Sequence, residues 1–204
     1  MQIKNKINFK IAYLIFFIFL NLNINAEEFD ISAKEIIVDK ENETIVGIGS
    51  VQATDSEGKL IYADKITYEK SKKYLLAEGN VKIEDSEKNI LKTDKAIFDK
   101  INAKIETYQN TELILKEGYK LNGKNVFYDT LQKTIKSDEN SIITDKDGNI
   151  IEITMFHYDI KNKLFSSIGK IKILDVNKNK YFFKEIHIDT GKKEMIGTDV
   201  SVVL

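Results

Sequence analysis

Hydrophobic and polar residues alternate along most of this chain, and the alternating pattern repeats at a fixed interval. An apolar residue followed by an acidic one recurs every 30 residues, so that six units cover residues 29–204 without an insertion. The six pairs are Val38-Asp39, Tyr68-Glu69, Phe98-Asp99, Tyr128-Asp129, Tyr158-Asp159 and Ile188-Asp189. A constant period of this length is typical of repeat proteins, in which each unit buries its apolar face against its neighbours.

Within each unit, apolar residues two positions apart predict β-strands, because successive side chains of a strand point to opposite faces. In the second unit a strand, the short polar turn "EKSKK" and a longer strand follow one another. Segments such as "DSEGK" and "DKDGN" connect the units and are rich in residues that favour turns. No segment shows a sustained helical period. The sequence therefore predicts an all-β fold of about twelve strands, with one dry face and one wet face.

The dry face is the candidate binding surface, because its apolar positions recur in register through the units. Its aromatic residues either fill a closed core between packed sheets or form the apolar wall of an elongated cleft. Val203 is expected at the last position of one of its columns. The residues predicted to line a cleft on this face are Ile36, Val38, Ile45, Ile66, Tyr68, Leu75, Ala77, Ile83, Phe98, Ile105, Leu113, Val126, Tyr128, Ile135, Ile143, Phe156, Tyr158, Phe165 and Ile173.

One further column of the repeat contains only small residues. Its members are Gly47, Ala77, Thr107, Ser137, Ser167 and Gly197. A row of small side chains on the dry face would leave a furrow that could hold a ligand. The same residues are also typical of a bend or bulge, where the strand needs slack. Both interpretations remain open from the sequence.

Charge and composition limit the classes of function. The chain is 42% hydrophobic and 31% charged with a formal net charge of -1, which indicates one folded domain and gives no footprint for nucleic acid. The absence of Cys excludes disulfides and thiolate chemistry.

The recurring acidic residues are expected in turns rather than as calcium ligands. His157 and His187 are expected on the surface, because no third ligand recurs beside them. We therefore expect no catalytic site, no metal and no cofactor.

The first 26 residues resemble a secretory signal peptide. Lys4, Lys6 and Lys10 form a basic start, residues 11–20 form an apolar run, and Ala26 suits the cleavage site. The alternative is an uncleaved anchor, but the apolar run is shorter than the ~20 residues of a spanning helix. The sequence thus predicts export to the periplasm, followed by one β domain over residues 27–204.

Stacked hairpins with one dry face predict two properties of the domain. Its interior can accept acyl chains if its walls separate. Its first and last strands are unpaired edges that can pair with a similar protein. Both properties suit the transport of a lipid through an aqueous compartment.

The repeat resembles a known family at the pattern "ADKITYE…LLAEGNVKI" of residues 63–83, with "AEGNV" as its most distinctive part. This pattern is similar to the OstA-type domain of lipopolysaccharide transport proteins. Units one to three match best, and Gln109 and Glu139 replace the glycine in units three and four. The resemblance implies an elongated, open, V-shaped β-jellyroll that binds the acyl chains of lipopolysaccharide.

The same resemblance implies partners. Members of the family pair by their edge strands with other Lpt jellyrolls and act with translocon components of the inner or outer membrane. The chain could correspond to an LptA-type bridge protein, to the N-terminal periplasmic domain of LptD, or to an anchored LptC-like protein. The sequence "KEMIGTDVSV" of residues 193–202 is more similar to the second of these.

Two alternatives from other classes remain. An exported structural protein, such as an adhesin or a β-solenoid fibre, would share the repeats but have a closed core without lipid. An enzyme on a β-solenoid scaffold would need acidic residues clustered on a wet face, whereas the acidic column of this chain lies at strand ends.

Overall fold

The structure, a computed structural model, describes residues 29–116 and 118–203. These residues form strands and turns only, and none of them belongs to a helix that could cross a membrane. The all-β class predicted from the alternation is therefore confirmed. The segment predicted as a signal peptide lies outside the described residues.

Seventeen strands form one antiparallel sheet. They are β1 (Phe29–Ser32), β2 (Glu35–Asp39), β3 (Thr44–Asp55), β4 (Leu60–Glu69), β5 (Tyr74–Glu84), β6 (Ile90–Asp99), β7 (Lys104–Ile114), β8 (Lys120–Lys124), β9 (Phe127–Asp129), β10 (Thr134–Ser137), β11 (Ser141–Thr144), β12 (Ile150–Ile153), β13 (Phe156–Asp159), β14 (Leu164–Leu174), β15 (Lys180–Asp189), β16 (Glu194–Thr198) and β17 (Ser201–Val203).

The seventeen strands follow twelve consecutive lines of chain, as the repeat predicts. Seven lines are continuous, and five are interrupted near the middle, so that β1 and β2 pair with the same strand β3. The same interruption separates β8 from β9, β10 from β11, β12 from β13 and β16 from β17. Each line pairs with the next line along the chain, so that two lines and their turns make one 30-residue unit.

Every line bends near its middle, which divides the sheet into two walls. Wall 1 contains the strand halves that meet at turns 40–43, 70–73, 100–103, 130–133, 160–163 and 190–193. Wall 2 contains the halves that meet at turns 56–59, 85–89, 115–119, 145–149 and 175–179. The register shifts at the bend: in the pairing of β3 with β4, Ile48 and Val51 flank the shift. An extra residue of this kind bends a strand and increases its twist.

Left-handed backbone at the bend explains the "AEGNV" sequence. Gly79 has φ +75° and Asn80 has φ +47°. A Cβ on Gly79 would lie 2.5 Å from the carboxylate of Asp64, so the position requires glycine for space as well as for backbone geometry. In the third unit Gln109 stands at the position of this glycine and adopts the same left-handed backbone, with φ +63°. The motif is weaker there because the glycine itself is absent.

The dry faces of the two walls face each other and form the core. In β5 and β6 buried residues alternate with half-buried or exposed ones, which confirms the predicted dry and wet faces. The core has two clusters, one in units one to three (the first half) and one in units four to six (the second half). The first half contributes Phe29, Val51, Ala53, Ile61, Ala63, Ile66, Tyr68, Leu75, Ala77, Val81, Ile83, Ala96, Phe98 and Ile105. The second half contributes Leu121, Val126, Ile143, Ile153, Phe156, Phe165, Ile171, Phe183 and Ile186.

The small column lies at the bend, where the two walls converge. Ala77 is completely buried, and so nearly are Thr107, Ser137 and Ser167. The hydroxyl groups of these three residues donate to the carbonyl oxygens of Val126, Lys124 and Met155 on the neighbouring line. These bonds add side-chain donors at the place where the register of the backbone ladder shifts. The bend interpretation is thus correct for this column.

The acidic column occupies turns, as predicted. The carboxylates of Asp39, Asp99, Asp129, Asp159 and Asp189 accept hydrogen bonds from backbone amides two or three residues later. These bonds keep the pKa of the Asp39 carboxyl below its ordinary value, first through the side-chain amide of Asn42. The acidic residues therefore stabilise the turns of wall 1.

The last line departs from the repeat. Val202 rather than Val203 pairs with the inward-facing Tyr181, and Val203 pairs with Lys180. The reason is that this line crosses the bend with one residue fewer than its equivalents, so that Gly197 and Ser201 face Ile186 and Phe182. The expectation that Val203 belongs to the dry face is wrong.

Candidate functional site

The interior of the first half is closed by an aromatic side chain. The ring of Phe29, on wall 2, lies 5.1 Å from the ring of Tyr68 and 6.4 Å from that of Phe98, both on wall 1. Both contacts are edge-to-face, which is a favourable arrangement for aromatic pairs. Phe29 is only 1% exposed, so it fills the space between the walls.

An ion pair joins the two walls beside Phe29. The Asp55 carboxylate, at the end of β3 on wall 2, lies 3.1 Å from the ammonium group of Lys100 in a turn of wall 1. Lys59 lies 3.2 Å from the same carboxylate, and Lys100 also lies over the ring of Phe29. Burial raises the pKa of Asp55, but the Lys59 backbone amide and the two ammonium groups outweigh it, so the pKa lies below its ordinary value.

A narrow apolar cleft remains between the walls at the junction of the third unit with the second half. Its volume is about 80 Å³, and no polar surface lines it. The lining residues are Leu113, Leu115, Tyr119, Leu121, Ile135, Ile143, Phe156, Tyr158 and Phe165. Ligand pockets of drug size usually measure about 300–1,000 Å³, so this interior cleft admits only a small part of a lipid chain unless the walls separate.

The ion pairs of residues 120–203 lie within one wall or at the bend. Lys172 pairs with Glu152 within wall 2, and Lys192 pairs with Asp189 within wall 1. Lys184 pairs with Asp199 at the bend. Among the described residues of this segment no ion pair links the tips of the walls, in contrast to Asp55 and Lys100 in the first half.

The predicted lining residues divide into three groups by exposure. Buried are Ile66, Tyr68, Leu75, Ala77, Ile83, Phe98, Ile105, Val126, Ile143, Phe156 and Phe165. Half-buried are Ile45, Leu113, Tyr128, Ile135, Tyr158 and Ile173. Ile36 and Val38 are 47% and 57% exposed, because their edge strand β2 has a described partner on one side only. Six of the predicted residues come together around the interior cleft: Leu113, Ile135, Ile143, Phe156, Tyr158 and Phe165.

Leu121 faces the interior cleft from wall 2 but is not among the residues predicted to line it. Leu121 belongs to an apolar column at the same 30-residue period, on the wall 2 half of the first strand of each unit. The predicted wall 2 residues, such as Leu113 and Ile143, lie on the second strand. That column consists of Ile31, Ile61, Leu91, Leu121, Ile151 and Tyr181. The periodicity of this column is therefore a sequence signal that identifies Leu121 as a lining residue on wall 2. Leu115 and Tyr119 flank a turn and carry no comparable periodic signal.

The two ends of the sheet expose apolar side chains. At one end Ile36, Ile37 and Val38 of β2 are each about half exposed. At the other end Met195 and Val202 are 49% exposed. In the described residues β1 and β2 pair only with β3, and β16 and β17 pair only with β15. Within residues 29–116 and 118–203, both ends therefore present strand edges without a second partner, the arrangement that the repeat predicts.

The two histidines lie on the exposed face. Ser166 separates them across the sheet, since it pairs with His157 on one side and His187 on the other. His187 interacts with Glu185 at 2.8 Å. No group of three or more potential ligands that could hold a metal ion occurs among the described residues.

The chain matches known proteins at the level of solved structures. No protein-family model and no curated protein sequence matches the chain. Among solved structures, LptH of Pseudomonas aeruginosa, the LptA-homologous periplasmic component of its lipopolysaccharide transport device, has a TM-score of 0.24 and 10% identity over 86% of this chain and 94% of that chain. The wild-type TCP10 domain of CPAP from Danio rerio has a TM-score of 0.15 and 12% identity over 83% of this chain and 98% of that chain. At such TM-scores neither likeness carries an argument about function.

Proposed function

We propose that this chain is a non-catalytic carrier of lipopolysaccharide, which binds the acyl chains between its two walls and passes them across the periplasm towards the outer membrane. The observation that supports the proposal most is the interior cleft, which lies between two apolar walls and has no polar lining. An acyl chain is favoured in such a place because burial of its methylene groups contributes about 0.8 kcal/mol each.

The site consists of the inward-facing residues around the interior cleft, above all Leu113 of the third unit and Ile135, Phe156 and Phe165 of the second half. Acyl chains enter when wall 1 and wall 2 move apart at their tips, where no ion pair of residues 120–203 opposes the movement. The residues buried in the first half, such as Tyr68 and Leu75, become lining residues only if the contact between Asp55 and Lys100 opens.

The partners in this proposal are other jellyroll proteins of the Lpt system, which join at the free edges. Backbone amides and carbonyls along β2 and along β16 and β17 supply the hydrogen bonds of an added strand. The exposed Val38 and Val202 supply apolar contact area at the two junctions. Continuation of the sheet would extend the dry interior from one protein into the next, towards translocon components in a membrane.

A structural β-repeat protein with a closed core is the second candidate. The packing of Phe29 between the walls favours it, because a completely filled first half leaves no space for lipid there. The two candidates differ in whether the second half opens.

Photo-crosslinking in cells that synthesise lipopolysaccharide distinguishes the two functions. Benzoylphenylalanine replaces Tyr158 or Phe165 at the interior cleft, Tyr68 in the closed half, or the outward-facing Lys65 and Lys136 as controls. The carrier function gives lipopolysaccharide adducts at Tyr158 and Phe165 and none at the two lysines. Absence of adducts at both cleft positions, in cells where a known carrier forms them, would exclude the proposal and leave the closed-core protein.

A further inference from the structure

A second and much larger concavity lies on the outward-facing side of the sheet. This outer groove has a volume of about 1140 Å³ and crosses the bends of the lines from β5 to β15. Its long side is a row of cross-strand neighbours on wall 2, in which Glu112 pairs with Asn122 and Ile142 pairs with Glu152. The groove is separate from the interior cleft, since no residue lines both.

The charged side chains of the outer groove are only partly neutralised. Lys92 binds Glu112 at 3.1 Å, and Lys172 binds Glu152 at 2.7 Å. The ammonium groups of Lys124 and Lys170 have no carboxylate partner among the described residues, and both side chains are exposed.

One carboxylate of the groove is also unpaired. Asp94 is exposed and lies within ion-pair distance of no described ammonium group. The outer groove therefore presents both free cations and a free anion, at different points along its length.

Side-chain amides and apolar groups complete the lining. Asn110, Asn122 and Asn140 are exposed, and their amides form no hydrogen bond with another described group. Each amide can donate two hydrogen bonds and accept two. Phe182 is 36% exposed and Ile142 47%, so that an aromatic face and an aliphatic side chain lie in the same groove.

We propose that the outer groove binds an oligosaccharide that carries isolated anionic groups, such as phosphate or carboxylate. The hydroxyl groups of sugars both donate and accept hydrogen bonds. They can therefore bind the free amides of the groove, and they can donate to its free carboxylate. The C–H face of a pyranose ring can lie on the ring of Phe182. Lys124 and Lys170 supply point charges for phosphate or carboxylate groups.

The balance of charges argues against a simple polyanion. A chain with a negative charge at every unit would meet Asp94, Glu112 and Glu152 as well as the lysines, and like charges repel. A sugar chain with a few anionic groups avoids this repulsion and uses the carboxylates as hydrogen-bond acceptors.

The test uses the purified full chain, two anionic saccharides and two controls, with isothermal titration calorimetry and amide chemical shifts as readouts. The saccharides are the phosphorylated core oligosaccharide of deacylated lipopolysaccharide and a xylo-oligosaccharide that carries a single glucuronate side group. The controls are uncharged maltoheptaose and inorganic pentaphosphate. We expect at least one anionic saccharide to bind and to shift the amides of Asn122, Lys124 and Lys170.

The variants assign the binding to the groove. The double change Lys124→Gln with Lys170→Gln should weaken binding about tenfold or more, since two charge-assisted contacts are lost. Lys161→Gln, in an exposed turn of wall 1, should leave the affinity unchanged. Thermal unfolding of each variant verifies that the fold is retained, and Phe182→Ala provides an uncharged second change in the groove.

The outcomes separate the possible sources of the ligand. Tighter binding of the core oligosaccharide indicates the saccharide of a lipid, and tighter binding of the glucuronate-bearing xylo-oligosaccharide indicates a free polysaccharide. Binding of neither one overturns the proposal, as does equal binding of pentaphosphate or an unchanged affinity in the double variant. Because these probes have no acyl chains, the result is independent of the crosslinking test at the interior cleft.

Discussion

The carboxylate of Asp55 and the ammonium group of Lys100 lie 3.1 Å apart, although 45 residues separate them along the chain. They join the tip of wall 2 to the tip of wall 1 and hold Phe29 between them, since Lys100 also lies 5.5 Å from the centre of the Phe29 ring. This contact distinguishes the closed first half of the protein from the second half, where the interior cleft remains.

Removal of the Asp55 charge should destabilise the fold. The side chain of Asp55 has no exposed surface, and its loss of charge leaves two ammonium groups without their partner. Asp55→Asn should lower the free energy of unfolding by about 1–3 kcal/mol at pH 7, measured by urea denaturation. Lys88→Gln, which removes an exposed partner of Glu84, is the control and should have no measurable effect.

The effect of Asp55 should depend on pH. Its pKa in the folded protein lies below the ordinary value of 3.8, so the folded state binds the proton less tightly than the unfolded state. The stabilisation is therefore present above about pH 4 and is lost as the pH falls through the folded pKa. The difference in unfolding free energy between the wild type and Asp55→Asn should therefore shrink as the pH falls from about 5 to about 3. Urea denaturation of both proteins at a series of pH values in this range measures the difference. A constant difference would contradict the assignment.

The turns of wall 2 should stabilise one another through an asparagine. Asn149 donates to Asp145 within its own turn, and its side-chain oxygen accepts from the amide of Val176 in the next turn. Asn179 makes the same contacts within its turn, to Asp175, but its side chain forms no hydrogen bond with another turn of the described residues. Asn149→Ala should therefore cost about 1 kcal/mol more than Asn179→Ala in urea denaturation. Equal losses would mean that the link between turns contributes nothing.

Two glycines with similar backbone geometry should differ in their tolerance of alanine. Gly58 and Gly79 have φ +79° and +75°. A Cβ on Gly58 meets nothing within 4 Å, whereas one on Gly79 would lie 2.5 Å from Asp64. Gly58→Ala should cost about 1–2 kcal/mol for the left-handed backbone alone. Gly79→Ala should lower the melting temperature further, and a smaller loss than at Gly58 would contradict the close approach at the bend.

Filling the interior cleft should reduce lipid binding if the proposed function is correct. Ile135→Phe adds volume to a half-buried position that lines the cleft. We expect fewer lipopolysaccharide adducts at Phe165 with little loss of thermal stability. Ile45→Phe is the matched control, because Ile45 occupies the same column of the repeat but lies outside the cleft. Equal adduct yields in the two variants would show that the cleft does not hold the acyl chains.

The free edge at β2 should mediate association of jellyrolls. Val38→Lys places a charge on a side chain that is 57% exposed, so the stability of the domain should not change. Sedimentation velocity at increasing protein concentration should show less end-to-end association than in the wild type. The control is Ile101→Lys, at a position 63% exposed in a turn of wall 1. An equal loss in both variants would indicate nonspecific contact.

Local pattern was sufficient to predict strands, turns and the dry face. Tyr68 and Leu75 were assigned to one face because side chains of a strand alternate, and they pair across the sheet in the structure. Asp39 and its equivalents were assigned to turns because a carboxylate accepts nearby backbone amides, as it does here. Such properties depend on a few neighbouring residues, so periodicity in the sequence records them.

The position of the bend determines the role of some residues that the periodicity of the sequence leaves open. Ser137 had two interpretations from its size, and only the convergence of the walls shows that its hydroxyl group satisfies the carbonyl of Lys124. Val203 was misplaced because a change of one residue in the bend exchanges the two faces of a strand. Leu121 also lines the interior cleft. Its column lies on the wall 2 half of the first strand of each unit.

The sequence by itself determined a 30-residue unit, an all-β chain and an apolar face, because these follow from local alternation and turn residues. Only the tertiary structure decided which part of that face is closed. Asp55 and Phe29 of the first unit meet Lys100 of the third unit across the two walls, and nothing in their local sequence signals the contact. The outer groove also depends on the tertiary structure, because Lys124 and Lys170 approach one concavity only through the bending of the lines that carry them.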